Sequence, residues 1–505
     1  MPRAQLPTLA FLALTSLAAP RAAAQVHHHP SGAPWNQQAH EGPDAEVQGW
    51  LYNLGVTGIR VKLEDEHPTH LLVGHVFDDS PADGKVELGD RIVGAGGTAF
   101  ETPHRNGYGM EVFGPDGPIL DFATALEEAL SSEKRKLPLT LQRDDELREV
   151  VLTLPRKARA FASTFPADCE HSTEILERLL DHIEEEQRGD GSWGNPIHDT
   201  FAPLALLASG ERKYRAAVER SVDFHARNTR IEDDSSLVNW KYMAAAIVMS
   251  EWYLADGDRR VLRELQEVYD FLCSTQYLDL SQVNPKVRES HPHAWPKNAE
   301  QQHGGWGHNP GFEGYGPIAM ITAQGALAFA LMDRCGIDVD EERHRAAYAF
   351  LERGSGSNGY LWYNDSNAGD DKWADMGRTG ASAIAHWMSP FEEHSSFARR
   401  HALLMAEHPE SFPDTHASPL MGMGYGALGA SIDPTALDAV LGANRWWFLL
   451  AECPDGTFAY QPNRDNVGYG SDARLLATVI TAFILTLPEG GLAMTSPAEA
   501  PSAAR

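Results

Sequence analysis

Two kinds of hydrophobic pattern divide the chain near residue 155. Between residues 49 and 155, short apolar runs are broken by Gly, Pro and Asp, which predicts a compact β-rich unit. Beyond this point apolar residues recur at helical spacing over long stretches. The clearest amphipathic stretches are residues 172–187, 237–258, 319–336, 378–388 and 471–487. The pattern therefore predicts a β-rich unit followed by an all-helical domain.

Within the β-rich unit, strand and helix periods can be told apart. Residues 71–77 are strand-like, and residues 86–100 contain a turn at Gly89 that leads into another strand. Apolar residues at helical spacing predict a helix over 121–130. Residues 137–143 and 148–154 alternate as a closing pair of strands.

A Gly-aromatic signal recurs between the predicted helices. It reads QRGDGSWG from Gln187, QHGGWGHNPG from Gln302, GSNGYLWYN from Gly356, GMGYGALG from Gly422 and CPDGTFAYQP from Cys453. The intervals are unequal, and the largest can hold one more unit around residues 239–240. Such self-similarity predicts stacked helical hairpins whose glycine corners gather at one rim of a ring.

One segment of the β-rich unit resembles a known family. Residues 76–97 read V-x-D-D-S-P-A-D-G-x-V-x-L-G-D-R-I-V-G-A-G-G, which resembles the PDZ domains of bacterial exported proteins. The resemblance implies a groove for a protein C-terminus, with backbone N–H groups holding the terminal carboxylate. The residues matching that groove are Leu54, Gly55, Val56, Thr57, Gly58 and the docking strand from Ile59, with Phe122 and Leu126 lining the side-chain pocket.

The sequence also allows a second interpretation of the PDZ-like unit. Asp121 stands where a histidine often opens the helix of peptide-binding members. A degenerate PDZ domain that only braces its neighbour is therefore the alternative.

The helical half resembles another family. The first repeat, Q-x-x-D-G-S-W-G, is similar to the repeat of the terpenoid cyclase and protein prenyltransferase toroids, in which helical hairpins form an inner and an outer ring. The resemblance implies an all-α (α/α)6 toroid over residues 165–490. Both halves together resemble exported bacterial proteins whose toroid has no assigned function. The run IEDDSS from Ile231 lacks the D-x-D-D pattern of a cyclase proton donor, so cyclase activity is not expected.

The N-terminus carries targeting features. Arg3, an apolar stretch over 6–19 and the small residues 22–24 predict a signal peptide at 1–24. A linker at 25–48, the PDZ-like domain at 49–157, the toroid and a disordered tail at 491–505 would follow. The expected location is secreted or periplasmic, and no later run is long and apolar enough to span a membrane.

Charge and cysteine usage narrow the function. A net charge of -29 over 505 residues argues against nucleic acid, because phosphate binding needs clustered Lys and Arg. The four cysteines form no C-x-x-C pair, which argues against the usual zinc and dithiol sites. Neither a metal nor another cofactor is expected. Export permits disulfides, and buried thiols are the alternative.

Two clusters could carry chemistry in the ring. His303 and His308 are candidate general bases, and Arg378 at a helix start could hold an anionic group. The alternatives are structural: the histidines hydrogen-bond the turn while Trp306 packs, and Arg378 pairs with Asp375. The candidate ligand-binding residues are Trp306, Tyr315, Asp375 and Tyr425. One hypothesis is a binding protein, with a peptide terminus in the PDZ-like groove and a ligand in the ring. The other is a lyase or hydrolase acting on an acidic or sulfated polysaccharide.

Overall fold

The structure, a computed structural model, describes most of the chain. The described residues are 26–28, 34–36, 51–64, 66–104, 116–229, 233, 237–310, 312, 316–369, 371–415, 419–460 and 473–496. The predicted signal peptide lies outside them. In the predicted linker the structure has an antiparallel hairpin of β1 (Val26–His28) and β2 (Pro34–Asn36).

An antiparallel sheet forms the N-terminal unit. Its elements are β3 (Tyr52–Asn53), β4 (Ile59–Lys62), β5 (Leu71–Val76), β6 (Arg91–Ala95), β7 (Thr98–Ala99), α1 (Pro118–Ser131), β8 (Lys136–Arg143) and β9 (Glu146–Thr153). The strand order is β3-β4-β5-β6-β8-β9, with β7 paired to β6. Helix α1 packs on β6 and β8 through an apolar face that includes Phe122 and Leu126. The predicted strands and helix are confirmed.

Helices make up the rest of the described chain. They are α2 (Glu170–Glu185), α3 (Pro196–Ala208), α4 (Arg215–Asn228), α5 (Val238–Asp256), α6 (Leu262–Thr275), α7 (Val287–Ser290), α8 (Ala319–Arg334), α9 (Glu341–Arg353), α10 (Gly377–Met388), α11 (Ser395–Glu407), α12 (Pro419–Ala430), α13 (Pro434–Ala443), α14 (Arg445–Ala451) and α15 (Ala473–Thr486). The five amphipathic stretches of the sequence correspond to α2, α5, α8, α10 and α15. In the part of the chain that the structure describes, no helix is long and apolar enough to cross a bilayer.

The helices close into a ring. In the described chain, six inner helices contact one another in the order α3, α5, α8, α10, α12 and α15, and α15 contacts α3 again. The outer helices α2, α4, α6, α9, α11 and α13 pack against them. The predicted ring of inner and outer helices is therefore confirmed.

Glycines let two inner helices approach at backbone distance. A Cβ on Gly429 of α12 would lie 2.3 Å from the carbonyl oxygen of Gly380 of α10, and a Cβ on Gly377 would lie 2.5 Å from Cα of Gly422. The sequence predicted that GMGYGALG lies at a corner between helices, and this prediction is wrong. It lies inside α12, where its glycines serve helix packing.

The interior of the ring is filled at one level. Phe201 of α3 makes edge contacts with Tyr425 of α12 and Phe483 of α15, with ring centroids 5.1 and 4.9 Å apart. All three rings are buried. Space for a ligand must therefore be sought at the ends of the inner helices.

The C-terminal segment is part of the ring. Both carboxylate oxygens of Glu251, on α5, accept backbone N–H groups, from Met494 at 2.9 Å and Ala493 at 2.7 Å. Leu492 and Met494 are buried. The prediction of a disordered tail is therefore wrong over 491–496, because this segment donates hydrogen bonds to a carboxylate inside the fold. Residues 497–505 lie outside the described part.

Candidate functional site

The corners that lead from an outer to an inner helix lie at one end of the ring, because the inner helices run parallel to one another. We call this end the rim. It comprises the described residues of 186–195, 229–237, 276–318, 354–376, 408–418 and 452–460. Four of the five Gly-aromatic signals lie there, and the sixth unit expected around residues 239–240 falls in the first turn of α5, directly after the corner at 229–237.

Repeated contacts build these corners. The indole N–H groups of Trp193 and Trp306 donate to the carbonyl oxygens of Ile183 and Leu272, each at 2.8 Å, and so anchor the corner to the preceding outer helix. Trp306 has 0% exposure. It was expected to contact a ligand, but its ring is part of the core and offers no face to one.

Of the other two aromatic residues proposed to bind a ligand, one lies in the core and one lies outside the described residues. Tyr425 is 2% exposed and packs on Phe201. Burial raises the pKa of its hydroxyl well above the usual value. Tyr425 therefore belongs to the filled interior, and Tyr315 lies outside the described residues.

Arg378 is held by its own corner. It is 6% exposed, and its guanidinium donates to the Tyr360 hydroxyl at 3.0 Å and to the carboxylate of Asp375. Its Nε also donates to the carbonyl oxygen of Leu361 at 3.3 Å. The expectation that Arg378 holds an anionic ligand, with Asp375 beside it, is corrected, because these groups stabilise the start of α10 by pairing with each other.

The two histidines do not converge on Arg378. The His303 ring lies within the electrostatic influence of Arg353 and Glu342, which both belong to the outer helix α9. Burial lowers the pKa of His303, and the positive charge of Arg353 lowers it further. His308 accepts the indole N–H of Trp240 at 2.9 Å, and burial lowers its pKa. The three residues proposed for catalysis thus contact three different elements.

The predicted peptide-binding loop is buried between the two units. Residues 54–59 are all buried, and the amides of Leu54 and Gly58 donate to Ile59 and Gly55 within the loop, at 2.9 and 3.2 Å. The edge of β4 is paired with β3, through Tyr52 opposite Val61. Two of the loop amides and the strand edge that a peptide would use are therefore engaged inside the unit.

Helix α14 of the ring covers this loop. The Asn53 side chain donates to the carbonyl oxygens of Leu450 at 2.6 Å and Ala451 at 3.2 Å. A Cβ on Gly55 would lie 2.8 Å from the carbonyl oxygen of Leu449, with Leu126 also in contact. Phe122 and Leu126 have 0% exposure. Peptide binding at this place would require the two units to separate.

A pocket of about 350 Å³ opens at the rim between α3 and α5. It is lined by Arg188, Asp190, Ser192, Gly194, Asn195, Pro196, Asp199, Phe224, His225, Asn228, Thr229, Leu237, Lys241 and Ala244. The first repeat, QRGDGSWG, supplies one wall, and the first turns of α3 and α5 supply Asp199 and Lys241.

The pocket is lined by both positive and negative side chains. Lys241 forms a salt bridge with Asp233. Asp199 is 6% exposed and accepts the backbone N–H of Trp193 at 2.5 Å. Burial raises the pKa of Asp199 to about 6, although the N–H groups of Trp193 and Gly194 lower it in part. Asp190 is exposed, and its hydrogen bonds from Ser192 lower its pKa.

A neutral histidine lies behind Asp199. His225 Nε2 lies 2.9 Å from the carbonyl oxygen of Asp199, and burial lowers the pKa of His225 to about 4. Sequence reasoning assigned no chemistry to Asp190 or Asp199. The usable signal was an acidic residue in the first turn of an inner helix, five residues after the best-formed repeat, which itself contains Asp190.

No metal centre is formed by the described residues: they contain no group of three or more His, Cys, Asp or Glu side chains that could hold an ion. The four cysteines are free thiols, and all but Cys273 are buried. Of the two alternatives left open by the sequence, the structure has buried thiols.

Comparisons with solved structures return helical proteins of low identity. The type II terpene cyclase MstE from Scytonema is 13% identical, covering 63% of this chain and 99% of that one, with a TM-score of 0.38. The α-1,6-mannanase GH76A from Salegentibacter sp. HEL1_6 is 12% identical, covering 62% and 97%, with a TM-score of 0.43. A family 76 glycoside hydrolase from a bovine Bacteroides thetaiotaomicron strain is 12% identical, covering 70% and 84%, with a TM-score of 0.43.

At these identities and TM-scores, function has to be argued from this chain's own residues. No curated protein matches the chain. A family model matches residues 172–495, which is more than half of the chain and spans the helical ring from the first turn of α2. The chain therefore belongs to the family of the domain of unknown function DUF6288.

Proposed function

We propose that the helical ring binds a neutral saccharide at its rim, in the pocket between α3 and α5. The observation that carries this proposal is the pocket itself: a concave site of about 350 Å³ with donors and acceptors close together. Sugar hydroxyls both donate and accept hydrogen bonds, so they suit a wall that offers amide, carboxylate and ammonium groups. The Phe224 ring adds an apolar surface to the same wall.

The pairing of charges favours a neutral ligand over an acidic or sulfated one. Lys241 is already paired with Asp233, and Arg188 lies within the electrostatic influence of Asp199 and Asp190. Arg378, the other candidate for holding an anion, is bonded to Asp375. An anionic group would have to displace these carboxylates, which strengthens the case for uncharged sugars.

Lys241→Ala should weaken the binding of neutral oligosaccharides at least tenfold, since one good hydrogen bond to a charged group is worth about 1.5 to 3 kcal/mol. Titration calorimetry of the full chain with neutral gluco-, manno- and xylo-oligosaccharides measures this. Lys372→Ala is the matched control, because Lys372 lies at the rim near α10 against Trp362 and should leave binding unchanged. Preferential binding of uronic acid or sulfated oligosaccharides, or of no oligosaccharide at all, would contradict the proposal.

We also propose that the N-terminal unit is a PDZ-like domain that braces the ring in place of presenting a peptide groove. The contacts of Asn53 and Gly55 with α14 support this proposal. Beside them, Arg445 of α14 pairs with Glu127 of α1 at 3.3 Å. A labelled peptide with an apolar C-terminus should therefore not bind the full chain, and micromolar binding would argue for an open groove.

Gly55→Ala should destabilise the full chain by about 2 kcal/mol more than Gly84→Ala does, as overpacking typically costs. Both glycines have left-handed backbone, with φ of +66° and +69°, so both variants pay the same conformational penalty. Only the Gly55 variant adds a methyl group against Leu449, because nothing lies within 4 Å of the Gly84 position. Urea unfolding of both variants measures the difference. Equal losses of stability would mean that the interface accommodates the added methyl group.

A further inference from the structure

We infer that the pocket between α3 and α5 is a hydrolytic site, in which Asp199 donates a proton to the departing glycosidic oxygen and Asp190 accepts the proton of the attacking water. The inference rests on the proposed binding of a saccharide there and adds a reaction to it. Three observations support it: the repeat position of Asp199, the pocket that it faces, and the contrasting surroundings of the two carboxyl groups.

The repeats of the ring provide an internal comparison for Asp199. In the first unit the backbone N–H of Trp193 donates to Asp199 Oδ1 at 2.5 Å, which ties the corner to the first turn of α3. In the unit that contains α8, Trp306 N–H donates to the hydroxyl of Thr322 at 3.1 Å.

The same bond occurs a third time. Before α10, the N–H of Leu361 donates to the hydroxyl of Thr379, also at 3.1 Å. A threonine hydroxyl is therefore sufficient for this corner in two units. A carboxyl group at the same place also interacts with a second corner N–H, that of Gly194, but its burial is unfavourable when it is ionised. Two other units tie the corner to the inner helix without burying an ionisable group.

The carboxyl group of Asp199 also lines the pocket. Asp199 is 6% exposed and shares the lining of the 350 Å³ cavity with Lys241, from the first turn of α5. A carboxylic acid whose pKa is raised by burial towards neutral pH is the kind of group that general acid catalysis uses.

Asp190 lines the same pocket, in surroundings that favour its ionised form. It is exposed at the turn of the first repeat, where the backbone N–H of Ser192 donates to Oδ1 at 3.0 Å and the Ser192 hydroxyl donates to it at 2.8 Å. These bonds favour the ionised form. A carboxyl group with a pKa raised by burial, beside one whose ionised form is stabilised by hydrogen bonds, is the kind of pair that glycoside hydrolysis uses.

The reaction balances with water as the only co-substrate. The bond between the anomeric carbon and the glycosidic oxygen breaks, and its electron pair stays on the oxygen, which takes the proton of Asp199. Water forms the new bond to the anomeric carbon and gives a proton to Asp190. Transfer of a proton from Asp190 to Asp199 through solvent restores the starting state, with two shorter sugars as products.

The test is the release of reducing ends from mannan, xylan and β-glucan by the full chain, together with calorimetric binding of the matching oligosaccharides. Asp199→Asn should lower the rate about a thousandfold and leave binding within a few-fold. The wild-type rate should fall as pH rises above about 6, where Asp199 loses its proton. Asp433→Asn, at the cap of the outer helix α13, is the control and should retain the full rate.

Asp199→Thr distinguishes a catalytic role of Asp199 from a structural one. The variant places at residue 199 the residue type that accepts the corner N–H in two other units, where it is Thr322 and Thr379. This variant should unfold at the same or a higher urea concentration than the wild type and should have no measurable hydrolysis. Normal hydrolysis by Asp199→Thr would overturn the inference. Oligosaccharide binding without hydrolysis by the wild type would also overturn it while leaving the proposed binding function intact, and absence of binding would remove both.

Discussion

Gly429→Ala should lower the free energy of unfolding by about 3 kcal/mol, at the upper end of what overpacking a core costs. The added Cβ would lie 2.3 Å from the carbonyl oxygen of Gly380 and 2.5 Å from its Cα, so two backbones would have to move apart. Neither atom can turn away as a flexible side chain could. The helices α10 and α12 are neighbours in the inner ring, and their separation would strain the closure of the whole ring.

Gly442→Ala is the matched control for this prediction. Gly442 lies inside helix α13, and a Cβ there meets nothing within 4 Å. The substitution should stabilise the chain by up to about 1 kcal/mol, because alanine is the better helix former. Urea unfolding followed by circular dichroism measures both variants. A Gly429 variant as stable as the Gly442 variant would show that α10 and α12 do not pack at backbone distance.

Acid should destabilise the ring through its buried histidines. Burial lowers the pKa of His344, His401 and His225 to about 4 each in the folded chain. In the unfolded chain a histidine titrates near 6.5. Between these values the unfolded state binds more protons, so the free energy of unfolding falls as pH drops from about 6.5 towards 4. Each histidine should contribute a slope of about 1.4 kcal/mol per pH unit in this window.

Two buried carboxyl groups act in the opposite direction. Burial raises the pKa of Asp199 to about 6 and that of Glu251 to about 7, so the folded state gains protons there as pH falls. The contribution of one histidine is therefore best measured as a difference between two proteins.

His401→Asn provides that difference. The Nδ1 atom of His401 lies 2.6 Å from the carbonyl oxygen of Gly359, and an asparagine amide can donate in its place without titrating. The variant should lose about 1.4 kcal/mol per pH unit of slope between pH 4 and 6.5, relative to the wild type. His293→Asn, at an exposed position, controls for the removal of a histidine. Equal slopes in His401→Asn and wild type would mean that folding does not lower the pKa of His401.

The candidate site shows where sequence reasoning stops. The glycines and aromatics of the repeats were visible, and their place at the rim follows from helix alternation. For Trp306 the sequence left open both packing and ligand binding, and for Arg378 both an Asp375 partner and an anion, because the exposure of a side chain depends on the packing of the whole ring. Trp306 is covered by Leu272 of α6 and Phe329 of α8, and Arg378 is neutralised by Asp375 within its own corner.

The sequence by itself determined the local structure and the class of fold. Its two hydrophobic periods separate a sheet unit from a helical domain, since each period matches one backbone geometry. Spacing alone also revealed the repeated hairpins. What only the tertiary structure decided is which side chains meet: α14 covers the loop around Gly55, Glu251 holds the segment at Met494, and Asp199 shares a pocket with Lys241. These contacts arise from ring closure and the packing of one unit on the other, and local periodicity carries no information about them.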